Sequence, residues 1–384
     1  MHPIITDTAT LAACCERLAH ETFITVDTEF MREKTYYPLL CLVQLAGEGE
    51  AVAIDPLAAG IDLTPLYTLL ANPAVLKVFH ACRQDMEIFY QGMNALPAPL
   101  FDTQVAAMVC GYGESIGYEA LVNRVLGLPV DKSSRFTDWS KRPLSDKQIE
   151  YAIGDVLHLR GIYRALQKRL DESGRTGWIE EEMLPLLDPR TYVTDPDEAW
   201  KKFRLRNSSP RFLAMLQAAA RWRELTARAR NVPRGRIMKD ETLAEVAHLK
   251  SPDFAALQGI RGFYPTMHAA HYEPLFDALR EAAALPSSEC PRLPAREVMP
   301  EGCEAVADLL RLLLKACAAK QHVVPRLIAD KDDLDALAMG KREHVHALTG
   351  WRYDMFGQYA LRLLAGGTAL KVDGSNGITF VDLP

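Results

Sequence analysis

Phe23-Ile24-Thr25-Val26-Asp27-Thr28-Glu29-Phe30 is rich in β-branched and aromatic residues and reads as a strand. Side chains two apart on a strand share a face. Asp27 and Glu29 therefore project together, and Val26 and Thr28 point the other way. Two carboxylates side by side repel unless something positive stands between them. A hard divalent cation, held by carboxylate oxygens, meets that need. A solvated strand end displays the same D-x-E pattern, so the pair alone leaves both readings open.

Working outward, Leu39–Ala46 and Ala51–Ile54 read as two further strands, and Val75–His80 and Pro99–Asp102 as two more. Helices are expected over Ala81–Tyr90, Thr103–Cys110, Tyr118–Leu126 and Ser145–Lys168. Strands followed by strand–helix alternation predict an α/β domain over residues 1–170, with a mixed five-stranded sheet flanked by helices. Residues 171–206, with Pro185, Pro189 and Pro196, read as a connecting segment. Residues 207–285 look all-helical, 286–300 a proline-containing linker, and 301–384 again mainly helical with a glycine-containing tail after Leu364. A chain of 384 residues is expected to divide into two or three domains.

With 48% hydrophobic and 24% charged residues the composition is that of a globular protein, which excludes disorder and collagen-like architecture. No window has the roughly 18 apolar residues of a membrane span, and the first twenty residues lack the pattern of a secretory signal. None of the eight cysteines forms a C-x-x-C pair, so no zinc site is expected and a reducing cytoplasm is the simplest home. Net charge is −6, yet Lys201 to Lys239 holds twelve Lys or Arg and one acid, Glu224. That segment carries +11 and leaves −17 for the remainder. A basic module joined to an acidic one suits a nuclease, one part holding phosphates and the other metal ions. A solvated helical face would show the same excess.

Two further carboxylates stand where elements meet. In Lys77-Val78-Phe79-His80-Ala81-Cys82-Arg83-Gln84-Asp85 an apolar strand runs into a helix, with Asp85 about one turn inside it. An acid favoured by the helix dipole is the plainer reading of Asp85. Ser145 and Gln148 form a capping box that starts a helix, on which Tyr151 and Asp155, four apart, share one face. His158 continues that stripe, while Ile149, Ile153 and Val156 fall on the opposite side.

D-x-E on a first strand, a later Asp at a strand–helix junction and Y-x-x-x-D on a helix resemble the DEDDy exonucleases, which have a ribonuclease H-like fold. Within them the likeness is to ribonuclease D. It is carried by Asp27-Thr28-Glu29-Phe30, Thr35-Tyr36-Tyr37-Pro38, Leu42-Val43-Gln44-Leu45, His80-Ala81, Phe101-Asp102-Thr103, Asp138-Trp139 and Arg142-Pro143-Leu144, in order over about residues 20–170. Asn231-Val232-Pro233-Arg234-Gly235-Arg236, Lys239-Asp240 and Leu257-Gln258-Gly259-Ile260 resemble the HRDC module, an auxiliary nucleic-acid-binding helical bundle. Trp351-Arg352 and Phe356-Gly357 resemble a second, more divergent HRDC-like bundle.

The resemblance implies a 3′→5′ exoribonuclease that releases 5′-mononucleotides, matures tRNA precursors and other structured RNAs, and works as a cytoplasmic monomer. Its cofactors would be two divalent ions, Mg²⁺ or Mn²⁺, balancing four carboxylates. By the same resemblance Asp27, Glu29 and Asp155 hold the first ion with the attacking water. Asp27 bridges to the second, Asp85 contacts the second through water, and Tyr151 orients the attacking water. Phe30, Tyr36 and Tyr37 are candidates to stack on terminal bases. Gln44, His80, Arg142, Arg234 and Arg236 are candidates for further substrate contacts. Each has a structural alternative in core packing or a salt bridge. Two other functions stay open: a DNA 3′→5′ exonuclease on the same fold, and a nucleic-acid-binding protein with an inactive nuclease fold.

Overall fold

In the computed structural model, the described residues are 4–130, 134, 137–205, 208–249, 252–293, 299–374 and 377–383. Residues 206–207, at the expected junction of connecting segment and first helical module, and 294–298, inside the expected linker, lie outside them. The elements are β1 (Ile4–Ile5), α1 (Thr8–Leu18), β2 (Phe23–Met31), β3 (Leu39–Ala46), β4 (Ala51–Ile54), α2 (Thr64–Ala71), β5 (Leu76–Phe79), α3 (Arg83–Met93), β6 (Leu100–Asp102), α4 (Thr103–Val109), α5 (Tyr118–Leu126), α6 (Asp146–Glu172) and α7 (Thr176–Met183). They form a mixed sheet in the order β1-β4-β3-β2-β5-β6. The sheet has six strands, not five. Ile4–Ile5 pairs parallel with Ala53–Ile54, and two residues are too few to show a periodicity in sequence.

Central strand β2 runs antiparallel to β3 and parallel to β5. One face buries Ile24, Val26, Val43 and Leu45 in the main core with α1, α2 and α3. The other carries Thr25, Asp27 and Glu29 opposite Ala46, Gln44 and Leu42. Long helix α6 lies across this second face, where Ile149, Ala152 and Ile153 pack with Leu42 and Ala53. The small side chains of Ala46 and Ala53 let it approach, and Thr25 Oγ1 donates to the Val156 carbonyl at 2.8 Å. The Ser145–Gln148 capping box that starts α6 is formed.

Helices α8 (Pro210–Arg230), α9 (Arg234–Ile237), α10 (Asp240–Val246), α11 (Phe254–Gln258) and α12 (Glu273–Ala284) enclose a separate core around Trp222, Leu243, Tyr272 and Phe276. A third core belongs to α13 (Cys303–Gln321), α14 (Pro325–Ile328), α15 (Lys331–Ala338), α16 (Gly350–Arg352) and α17 (Gln358–Leu364). The glycine-containing tail adds a strand pair to this mainly helical module. Thr368–Val372 (β7) and Ile378–Asp382 (β8) pair as an antiparallel hairpin, and Leu370 and Phe380 cover the third core. Their β-branched and aromatic content favours strand once a core is there to bury it.

Both helical modules dock on the nuclease domain. Trp178 of α7 stacks on Trp351 at 4.3 Å between centroids, and Arg175 donates to the Gln321 carbonyl at 2.6 Å. On the other side, the Tyr36 and Tyr37 amides donate to Asn231 Oδ1 at 3.1 and 3.0 Å. Among the described residues no helix is long and apolar enough to cross a membrane.

Candidate active site

Three elements deliver the acidic side chains. Strand β2 presents Asp27 and Glu29 on the face beneath α6, and a β-bulge between Glu29 and Phe30 bends the strand just past them. Helix α6 contributes Tyr151 and Asp155 from adjacent turns. Helix α3 starts two residues later than its sequence suggests, because Ala81 takes a left-handed φ of 56°. Asp102 fixes that turn. Its buried carboxylate accepts from the Ala81 and Cys82 amides at 3.1 and 2.8 Å, and it also caps α4. Asp85 follows within the first turn of α3 and is buried.

A cavity of about 280 Å³ is lined by Asp27, Asp155 and Tyr151 together with His80, Tyr118 and Glu119. Electrostatics tie the acids together. Burial pushes the Asp27 carboxyl up to about 7, only partly offset by the Thr28 amide. Burial, and then the charge of Asp27, raises Asp85 well above the usual carboxylate range. The Thr28 hydroxyl, hydrogen-bonded to Asp85, pulls the other way. Tyr151 is raised by burial and then by the charges of Asp155, Glu29 and Asp27. The phenol is therefore protonated at neutral pH, which suits a donor that orients water and not a base. Its ring lies 6.1 Å from that of buried Trp139, which holds it in place.

The donor chemistry fits divalent metal. Acidic oxygens in a low-dielectric pocket, driven toward protonation by burial and, for Asp85, then by the charge of Asp27, are the environment a hard cation relieves. Among the described residues no three His, Cys, Asp or Glu side chains are already grouped as metal ligands. The Asp85 carboxylate accepts a hydrogen bond from the Thr28 hydroxyl.

The remaining expected contacts divide. His80 lines the cavity, with Nδ1 3.0 Å from Thr103 Oγ1, and burial lowers its pKa so that it is neutral. Phe30 is half-buried beyond the bulge, and Tyr37 is exposed and edge-on to Tyr36. Gln44 is fully buried opposite Asp27 under α6, and neither amide atom has a hydrogen-bond partner among the described residues, so it has no open path to a strand outside. Arg142 is not free for a phosphate either. Its guanidinium makes two 2.6 Å bonds to buried Asp55 and another to the Cys41 carbonyl. His158 is half-buried and its pKa is lowered by burial.

The basic segment is also less available than its composition suggests. Buried Glu224 receives Arg228, Arg234 and the Tyr36 hydroxyl, so Arg234 and Tyr36 serve an interdomain network. Arg211 caps the Ala282 and Leu285 carbonyls, Arg221 pairs with Asp197, and Arg223 with Asp240. Arg236 is exposed, with no ion pair among the described residues. Two residues that frame the site went unread in the sequence. Tyr118 hydrogen-bonds the Asp155 carbonyl from α5, and Asp102 sets the α3 turn. Neither sits at a spacing that signals its partner; for Asp102 only the likeness of Phe101-Asp102-Thr103 hinted at a role.

With this geometry in view, the comparisons with known proteins are decisive. Residues 3–171 match the family model described as 3′-5′ exonuclease, and residues 212–279 match the HRDC domain. A ribonuclease D of Granulibacter bethesdensis is 48% identical over 97% of this chain and 94% of its own. One from Zymomonas mobilis is 46% identical over 100% and 99%. The chain belongs to the ribonuclease D family. The crystal structure of Escherichia coli ribonuclease D, 29% identical, superposes with a TM-score of 0.82 over 95% of this chain and 99% of that one. As a ribonuclease D, the chain is a 3′→5′ exoribonuclease, a hydrolase of RNA phosphodiester bonds.

Proposed function

We propose that the chain trims RNA 3′ ends by two-metal-ion hydrolysis in the cavity beneath α6, releasing 5′-mononucleotides. The supporting observation is the convergence of four carboxylates from three separate elements: Tyr151 feels Asp155, Glu29 and Asp27, and Asp85 feels Asp27. Asp27, Glu29, Asp85 and Asp155 would hold two divalent ions, Mg²⁺ or Mn²⁺. These supply an activated attacking water and charge neutralisation at the leaving 3′ oxygen. Tyr151, kept protonated, orients the attacking water. Tyr118 fixes the turn of α6 that carries Asp155, and neutral His80 lines the substrate side of the cavity.

The E. coli relative is an exoribonuclease involved in structured RNA processing. We extend that role to this chain, with tRNA precursors as the leading substrate, acting as a monomer in the cytoplasm. All eight cysteines are free, and seven are buried, in keeping with a reducing compartment. The test is a product ladder on 3′-extended, 5′-labelled tRNA precursor, with a DNA oligonucleotide of matched sequence alongside. Stepwise shortening of RNA with Mg²⁺ or Mn²⁺, and none in EDTA, is expected. No shortening at any concentration of either ion refutes the reading, and preference for DNA refutes its substrate.

A further inference from the structure

A second cavity, of about 540 Å³, lies between the nuclease domain and the first helical module. That size falls in the range of ligand sites, roughly 300–1,000 Å³. One wall is the outer face of α3, where Arg83, Glu87, Tyr90 and Asn94 line up at helical spacing while Asp85 points inward. Another is the connection between β2 and β3, with Arg32 and Tyr37. Tyr192 and Lys202, from the connecting segment, and Arg228 and Arg234 close it.

Five cationic side chains in this cleft face two carboxylates, Glu87, paired with Arg32, and Glu224, paired with Arg228 and Arg234. Three positive charges are left over. Among the described residues Arg83, which is exposed, has no carboxylate partner, and Lys202 donates only to the neutral Thr194 hydroxyl, at 3.1 Å. Burial and then the charge of Arg234 depress the Lys202 ammonium, with Glu224 pulling the other way and Arg228 adding to the fall. Tyr37, Tyr90 and Tyr192 contribute aromatic faces. Cationic side chains interleaved with aromatic rings suit a single-stranded nucleic acid, which offers a phosphate and a flat base at every step.

The cleft is also next to the chemistry. Arg32 follows Glu29 by three residues, so their backbones are about 10 Å apart at strand rise. The Tyr192 hydroxyl is raised by burial first, and the charges of Asp102 and Asp85 add to it. We infer that this interdomain cleft is a second RNA site, holding one or two nucleotides of the substrate strand upstream of the bond cut beneath α6, with Arg83 and Lys202 on phosphates and Tyr37 on a base. This rests on the exoribonuclease reading above. It assigns the two helix–nuclease walls a joint role in substrate length selection.

The test compares KM for trimming a trinucleotide and a dodecanucleotide of the same 3′ sequence by the full chain. The wild type is expected to favour the longer RNA. In R83E/K202E the KM for the dodecanucleotide should rise about tenfold or more, so that the length advantage disappears. Its salt slope should become shallower by about 1.4, at about 0.7 for each single-strand phosphate no longer neutralised. R83K/K202R should retain the advantage. Tyr37→Ala, at an exposed ring, should raise the same KM about fivefold or more. Urea unfolding of each variant separates these effects from misfolding. A wild type without length advantage, or a double variant that keeps it, overturns the inference. So does competition by free AMP that is lost in R83E/K202E while length dependence is absent, which would make the cleft a product site. Should no form shorten RNA, the exoribonuclease reading fails, and anisotropy with the labelled dodecanucleotide still decides whether R83E/K202E weakens binding.

Discussion

Glu224 is the one acid in a run of twelve cations, and replacing it should loosen the joint between the nuclease and the first helical module. Its carboxylate is 1% exposed and accepts from Arg228, Arg234 and the Tyr36 hydroxyl. Burial alone would raise its pKa, but hydrogen bonds from Arg234 and Tyr36, then the Arg234 charge, bring it down from 4.5 to about 2. A depressed carboxylate stabilises the fold above its unfolded value and loses that contribution as pH falls through the folded one. The shift corresponds to about 3 kcal/mol near neutrality, at about 1.36 kcal/mol per pH unit, and to about half that at pH 3. Glu224→Gln keeps the shape and removes the charge. Urea unfolding followed by tryptophan fluorescence should show the variant about 3 kcal/mol less stable at pH 7. The gap between wild type and variant should narrow between pH 5 and pH 3. Tyr36→Phe should cost less in the E224Q background than in the wild type, since the two groups share a hydrogen bond. A gap under about 1 kcal/mol at neutral pH, or one that does not change on acidification, would show that the network contributes nothing net.

Other consequences are open to direct measurement. Asp27→Ala and Asp155→Asn should abolish RNA shortening while leaving RNA binding largely intact; full activity in either variant refutes the site. Tyr151→Phe should lower kcat by about tenfold to a hundredfold with little change in KM. A base at Tyr151 would make activity rise with pH as the phenol ionises, so a rising limb that Y151F removes would argue against the orienting role. Arg236→Glu should flatten the salt dependence of RNA binding, whereas Arg234→Glu should chiefly destabilise the domain joint, which separate binding and unfolding titrations will distinguish. Arg142→Ala should destabilise the nuclease domain by about 2 kcal/mol, by stranding buried Asp55, and leave the salt slope of RNA binding unchanged.

By itself the sequence determined what the backbone decides locally. Alternation along Phe23–Phe30 put Asp27 and Glu29 on one face, and the Ser145–Gln148 box set the start of the helix that aligns Tyr151 with Asp155. Strands Leu39–Ala46 and Ala51–Ile54 and helix Tyr118–Leu126 were legible to the residue, because period and punctuation are properties of neighbours in the chain. Tertiary structure alone decided which partner each side chain meets. Gln44 and Arg142 read as polar residues in a nuclease motif, yet one is sealed under α6 and the other is bound to an acid 87 residues away. The +11 run read as a phosphate track, yet much of it is spent on Glu224, Asp197, Asp240 and backbone carbonyls. The two-residue strand β1 and the terminal hairpin exist only because a sheet edge and a helical core were there to receive them. Periodicity is written in the covalent chain, whereas the energy of a charge or an amide depends on what long-range packing sets against it.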